Sequence, residues 1–315
     1  MIHEGLPAPG IAAAIPWLLA EMQRINRLHE TGHRQQAIEQ FHELAAASIR
    51  TQREDLTCKG CIIRGRTTDI SIFRIPAQPR PGKPVALFLP GLLTFLPLTA
   101  ARVLAFADVF DIVLCELPGH GATGAVDDVS LDAFAAEYAT LLDPAPQHAG
   151  SLFVIGESLG GLVALSLARS RPDRVRNVVL LDTPFHLTRP DLAQWISETW
   201  RCGGCRPYQR RICVEIMGFD PADPSVARTT LHHDLVRQAP FKCLLILGAD
   251  RHTSGAASAV TAADIALLRA ANPRLLVAPR VLGTGHAVLL DNPDGARAAL
   301  QSFICGSDGR RMTRP

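Results

Sequence analysis

The sequence predicts an α/β protein with a mostly parallel, doubly wound sheet, a cap insertion and an N-terminal helical hairpin. Three observations carry that prediction. From residue 61 onward, short apolar runs recur at 85–89, 112–115, 152–155, 178–181, 244–247 and 275–281. Continuously apolar runs of this length fit strands buried on both faces, the habit of a parallel sheet. Most of the gaps carry helical periodicity, at 97–107, 130–142, 158–170, 261–271 and 285–303, so strand and helix alternate. The composition agrees: 47% of the 315 residues are hydrophobic and 20% charged. That is enough apolar material for a large core, and it excludes a disordered chain.

In chain order, residues 1–58 form an N-terminal helical extension. Leu18, Leu19, Met22, Ile25 and Leu28 make one apolar stripe, and Ala37, Ile38, Phe41, Leu44 and Ala45 a second. Thr31-Gly32-His33 breaks the two apart. Such a hairpin packs on the main domain or offers a surface for a protein partner or self-association. The main domain spans 59–305. It opens with two short strands, around Ile62-Ile63 and around Ile70, Ile72 and Ile75, joined at Gly65-Arg66. The stretch from 182 to 242 is too long for one crossover and reads as a cap inserted at about 184–240. Residues 306–315 read as a flexible tail.

Charge and cysteine usage narrow the function. Lys plus Arg number 32 and Asp plus Glu 30, a net charge of +2. That balance points to neither a nucleic-acid nor an anionic-membrane binder. The apolar stretch 85–101 is interrupted by Pro90, Gly91 and Pro97 and is too short to span a bilayer. Residues 1–20 lack the basic start of a secretory signal. A cytoplasmic protein without a membrane span is therefore expected. Eight cysteines in such a chain read as inert buried thiols. Two C-x-x-C pairs, Cys58/Cys61 and Cys202/Cys205, lie far apart in sequence. His232 and His233 are adjacent rather than spaced as zinc-finger ligands are. No metal and no cofactor is expected.

One constellation carries chemistry. Gly156-Glu157-Ser158-Leu159-Gly160 joins the apolar run 152–155 to the helical pattern that follows. A strand feeding a helix through so tight a turn strains the serine and exposes its Oγ, while the small residues let backbones cross closely. The helix N-terminus offers free N–H groups to a developing negative charge. A serine hydroxyl needs a base, and Gly283-Thr284-Gly285-His286 after the last strand places His286 at the correct edge. The run 244–247 leads through Gly248-Ala249 to Asp250, the acid expected to orient that histidine. The order Ser158, Asp250, His286 is the one such an architecture requires.

These segments, with L-F-L-P-G-L, E-L-P-G-H-G, P-D-R-V-x-N-V-V-L-L-D and L-G-A-D, resemble the α/β-hydrolase fold superfamily over residues 61 to 303. The resemblance implies a serine hydrolase that cleaves a carboxylic ester or thioester through an acyl-enzyme, without metal or organic cofactor. It implies an oxyanion hole from the backbone N–H groups of Leu92 and Leu159. Pro90-Gly91 stands where many members have His-Gly. Asp182, which ends the run 178–181, is the alternative acid, because some hydrolases take it from that strand. An acyltransferase using the same residues, or an interaction protein on a hydrolase scaffold, are the other readings. Glu157 reads as a local polar contact and His120 as part of a structural turn. His186 is a solvated residue or touches substrate. Trp195 and Trp200 line an acyl pocket or form the cap's own core. Arg201, Arg206, Arg210 and Arg211 form a solvated face or meet an anionic substrate.

Overall fold

The computed structural model describes residues 20–306 apart from 22–23, 26, 29–30, 143–151, 187–189, 202–204, 229, 238 and 250–256. Asp250, Cys202 and the tail 307–315 thus lie outside the described residues, as does much of the first helix of the expected hairpin.

Eight strands form one sheet: β1 (Lys59–Arg64), β2 (Asp69–Ile75), β3 (Val85–Leu89), β4 (Asp111–Cys115), β5 (Leu152–Glu157), β6 (Asn177–Leu181), β7 (Lys242–Ile246) and β8 (Leu276–Val277). Their order is β1-β2-β4-β3-β5-β6-β7-β8. The β1–β2 and β2–β4 pairs are antiparallel and the other five are parallel. The central strands are apolar on both sides because both sides are covered. Val154, Val178, Leu180, Cys243 and Leu245 enter the core on one face. Phe153, Ile155, Val179, Leu181, Leu244 and Ile246 enter the core on the other. That period of two is the pleat itself.

Helices follow where periodicity and capping coincide: α1 (Arg34–Arg50), α2 (Leu96–Val103), α3 (Leu131–Ala139), α4 (Leu159–Ser170), α5 (Pro190–Arg201), α6 (Pro207–Glu215), α7 (Ala262–Ala271), α8 (Val288–Asp291) and α9 (Pro293–Gly306). Ser130 starts α3 by accepting the Ala133 N–H at 3.1 Å. Thr261 and Asp264 start α7 as a reciprocal capping box. The helix expected over 285–303 is two helices, because Pro293 disfavours the helical conformation at Asn292. The apolar run 275–281 yields only a two-residue strand. Pro279 has no N–H for the ladder, and the chain rejoins the sheet at a bridge between Val281 and Gly248.

The buried face of α1, including Ala37, Phe41 and Leu44, closes with Ile25 over Phe95 and Leu98. The chain therefore covers this apolar stripe itself. Between β6 and β7 lie α5, α6 and a short 3-10 turn, His233–Val236. Among the described residues, no helix is long and apolar enough to cross a membrane.

Helix α4 is buried without interruption from Leu159 to Ala168. It runs close to the sheet because Gly160 lies against the carbonyl oxygens of Leu89 and Pro90, and Gly156 against Gly160 and Gly161. No side chain fits there. Gly160→Ala thrusts a methyl group into backbone rather than into a movable side chain, and is expected to cost at least 1–3 kcal/mol, about the usual price of overpacking. Denaturant unfolding of the variant checks this; wild-type stability would show that α4 can move away.

Candidate active site

The turn between β5 and α4 places Ser158 at φ 51° and ψ −122°. This is a region that residues with a side chain rarely occupy, so the surroundings must hold it there. The Ser158 N–H donates to Leu181 O at 3.0 Å, and its carbonyl accepts from Gly161 N–H at 2.9 Å. One strand over, Asp182 ends β6 at φ 43°, with its N–H on Ile246 O at 2.9 Å. The ends of β5, β6 and β7 are thereby tied in a row.

His286 comes from the loop between β8 and α8 and bridges the first two. Its Nε2 lies 3.0 Å from Ser158 Oγ. Its Nδ1 lies 2.6 Å from Asp182 Oδ2. The carboxylate is fully buried and hydrogen-bonded on both oxygens. It also accepts the Ser258 hydroxyl at 2.5 Å and the Ala259 N–H at 2.7 Å. The Nδ1 proton therefore faces the acid, leaving Nε2 to accept from the serine.

Among the described residues the acid on His286 Nδ1 is Asp182, the alternative acid; Asp250 lies outside the described residues. The physical reason is adjacency: β6 pairs directly with β5, and Asp182 follows the last residue of β6 without a spacer. Ser258 and Ala259 escaped sequence reasoning. They act through one hydroxyl and one backbone N–H reaching back 76 and 77 positions, and no local motif marks them.

The turn after β3 faces the hydroxyl. A Cβ on Gly91 would lie 3.2 Å from Ser158 Cβ and 3.8 Å from its Oγ. The Thr94 hydroxyl takes the Gly91 carbonyl at 2.6 Å. Leu93, at φ 62°, donates its N–H to His120 Nε2 at 3.3 Å. The Leu92 N–H has no partner among the described residues. Leu159, first residue of α4, has no acceptor within its own helix. His120 is the brace of this turn. Its Nδ1 lies 3.1 Å from Pro118 O, and burial pushes its pKa down to about 4. The imidazole thus stays neutral, with Nδ1 donating and Nε2 accepting.

Beneath the serine, Glu157 forms a buried ion pair with Arg102 of α2, Oε1 to Nη1 at 3.2 Å. Both charges reach His286. Burial by itself pushes the imidazole pKa down. The hydrogen bond and charge of Asp182, together with the charge of Glu157, outweigh burial and Arg102, so the pKa lies above the ordinary 6.5.

The remaining expected residues lie elsewhere. His186 and His233 meet at Asp264. Trp195 is 43% exposed, and Trp200 packs against the core under the Arg210 guanidinium at 5.7 Å. Arg206 donates to Gly119 O, Arg210 to Cys205 O and Arg211 to Asp127 O, while Arg201 faces Asp223 at 3.8 Å. Cys58 is half-buried at the edge of β1, and burial raises its thiol pKa.

Comparison with known proteins follows the same lines. Residues 84–199 match the family described as alpha/beta hydrolase fold. Over 67 residues the chain is 43% identical to the lipase LipV of Mycobacterium tuberculosis, covering 21% of this chain and 25% of that protein. Over 128 residues it is 40% identical to a pimeloyl-acyl-carrier-protein methyl ester esterase of Klebsiella pneumoniae, covering 37% of this chain and 46% of that protein. The matches thus span less than half the length of these relatives. A carboxylesterase of Bacillus subtilis superposes with a TM-score of 0.61 at 16% identity, over 84% of this chain and 97% of that one.

An NMR titration of the His286 ring is expected to give a pKa above 6.5. In Glu157→Gln, loss of a carboxylate that favours the imidazolium lowers it. An unchanged or raised pKa in the variant would show that the Glu157 carboxylate does not favour the imidazolium.

Proposed function

We propose that this chain, which has the α/β-hydrolase fold, is a serine hydrolase that cleaves a carboxylic ester or thioester through an acyl-enzyme intermediate. The observation that carries the proposal is the position of His286 between Ser158 Oγ at 3.0 Å and Asp182 Oδ2 at 2.6 Å. The relatives matched in part, a lipase and methyl ester esterases, support ester chemistry.

The proposed steps use this geometry. Ser158 Oγ attacks the acyl carbonyl as its proton passes to His286 Nε2. Asp182 keeps the other ring nitrogen protonated and stabilises the imidazolium that forms. The Leu92 and Leu159 N–H groups receive the oxyanion, each worth about 3–4 kcal/mol of barrier when such donors are preorganised. Collapse of the tetrahedral intermediate breaks the bond to the alcohol or thiol, which leaves with the proton from His286. Water, deprotonated by the same nitrogen, then attacks the acyl-serine; the acid is released and Ser158 recovers its proton.

A panel of p-nitrophenyl esters of increasing chain length, assayed with Ser158→Ala as control, tests the reading. Wild type is expected to turn over at least one ester and to be labelled by a serine-reactive phosphonate. The alanine variant is expected to lose about 10³-fold or more in kcat and all labelling. A folded wild type that neither hydrolyses nor labels contradicts the proposal. Product diverted to an added alcohol or amine at the expense of hydrolysis would favour acyl transfer.

A further inference from the structure

We propose that His186, His233 and Asp264 form a binding site for one divalent transition-metal ion of the zinc class, separate from the Ser158 site. The three residues come from distant parts of the chain. His186 lies in the loop after β6, His233 opens the 3-10 turn, and Asp264 sits in the first turn of α7. One ligand atom from each lies within 4.8 Å of the other two. His186 Nδ1 is 2.6 Å and His233 Nε2 3.3 Å from the same oxygen, Asp264 Oδ1.

Hydrogen bonding accounts for His233, whose Nε2 bonds Asp264 Oδ1 at 3.3 Å, but not for His186. His186 Nδ1 is shut off from solvent and makes no aligned hydrogen bond to any described residue, although Asp264 Oδ1 is so near. A buried polar atom without a partner ordinarily costs about 1–3 kcal/mol. An ion among the three groups would use that nitrogen's lone pair. Ligand bonds of about 2.0–2.2 Å in a tetrahedral sphere set neighbouring ligand atoms roughly 3.3 Å apart. The 2.6 Å pair need open only slightly, the 3.3 Å pair already fits, and the two ring nitrogens lie within 4.8 Å of each other.

The site is also supported from behind. Thr261 holds the second oxygen of Asp264 through its N–H at 2.8 Å and its hydroxyl at 2.7 Å, leaving Oδ1 turned to the imidazoles. The His233 ring stacks on Phe185 with centroids 5.7 Å apart. The His232 N–H donates to Phe185 O at 2.9 Å, fastening the two histidine-bearing segments together. Partners that orient ligands in this way raise metal affinity tenfold or more.

The donor set selects the class of ion. Two imidazoles and one carboxylate suit zinc and its neighbours, whereas magnesium and calcium take oxygen ligands. Asp264 is 1% exposed, while the two histidine side chains keep 13% and 12%. A fourth position therefore remains open to water. The ion would join the segment between β6 and β7 to α7, and the approach to α7 carries Ser258 and Ala259, which hold Asp182. Its role is to stiffen that junction, without touching the reacting atoms.

The test uses the full chain stripped with chelator and titrated with zinc against a chromophoric competitor. Wild type is expected to bind one equivalent and to gain thermal stability with zinc. His186→Ala and His233→Ala are each expected to weaken binding at least tenfold and to abolish the stability gain, while His232→Ala retains both. His233→Gln, close in size and still able to hydrogen-bond, separates lost ligation from lost packing. Cobalt(II) bound to wild type should show a four- or five-coordinate visible spectrum without a thiolate charge-transfer band. Absence of binding, binding indifferent to both histidines, or a thiolate band removed by Cys58→Ser and Cys61→Ser would each overturn the proposal.

Discussion

The hydrogen-bonded line from Asp182 through His286 to Ser158 is the interaction on which the rest of the molecule is arranged. Its members stand at three separate points of one rim: the end of β5, the end of β6, and the loop between β8 and α8. Two of them occupy positive φ, 51° at Ser158 and 43° at Asp182. Conformations of that kind cost about 1–3 kcal/mol each and persist only where the surroundings over-determine them. Here the over-determination is visible. Leu181 O holds the Ser158 amide and Ile246 O holds the Asp182 amide. The near-complete burial of α4 fixes the turn from the other side.

The charges around this line are few, and each has a defined partner or is neutralised. Asp182 is buried but takes three donors, which keeps a carboxylate tolerable away from water. Glu157 and Arg102 answer each other beneath the serine. His120 is held neutral by burial and spends both nitrogens on the turns it joins. Glu116, at the end of β4, has its pKa raised to about 7 by burial and accepts the Ala122 N–H at 2.9 Å. These side chains pin the loops that carry the Leu92 amide and the imidazole, so the rim is set by buried polar contacts as much as by apolar packing.

Much of this was legible in the amino-acid sequence, for identifiable reasons. The run 85–89 coincides with β3 and 178–181 with most of β6, because a strand covered on both faces is continuously apolar and is cut off sharply, by Pro84 and Pro90 in the first and by Asn177 and Asp182 in the second. Ser158 stood out because its glycine neighbours answer a local steric demand, and His286 because it follows the last apolar run. The acid was ambiguous. Asp182 and Asp250 both follow apolar runs and both precede His286, so chain order does not separate them. Three-dimensional facts favour Asp182: β6 lies beside β5, and Ser258 and Ala259 reach it from beyond β7. The same blindness to long-range contacts hid the meeting of His186, His233 and Asp264. His232-His233 invited a comparison with cysteine-based sites, and the partner that matters is a capping aspartate on another helix.

The most direct measurement of the central claim is kcat/KM for a p-nitrophenyl ester in Asp182→Asn and Asp250→Asn, each checked for folding by circular dichroism. An acid at Asp182 predicts a loss of about 10³–10⁴-fold in Asp182→Asn, where the amide no longer favours the Nδ1-protonated imidazole. It predicts a value within about twofold of wild type in Asp250→Asn, as expected for a residue outside a catalytic unit. The reverse pattern, a folded and active Asp182→Asn beside an inactive Asp250→Asn, would contradict it.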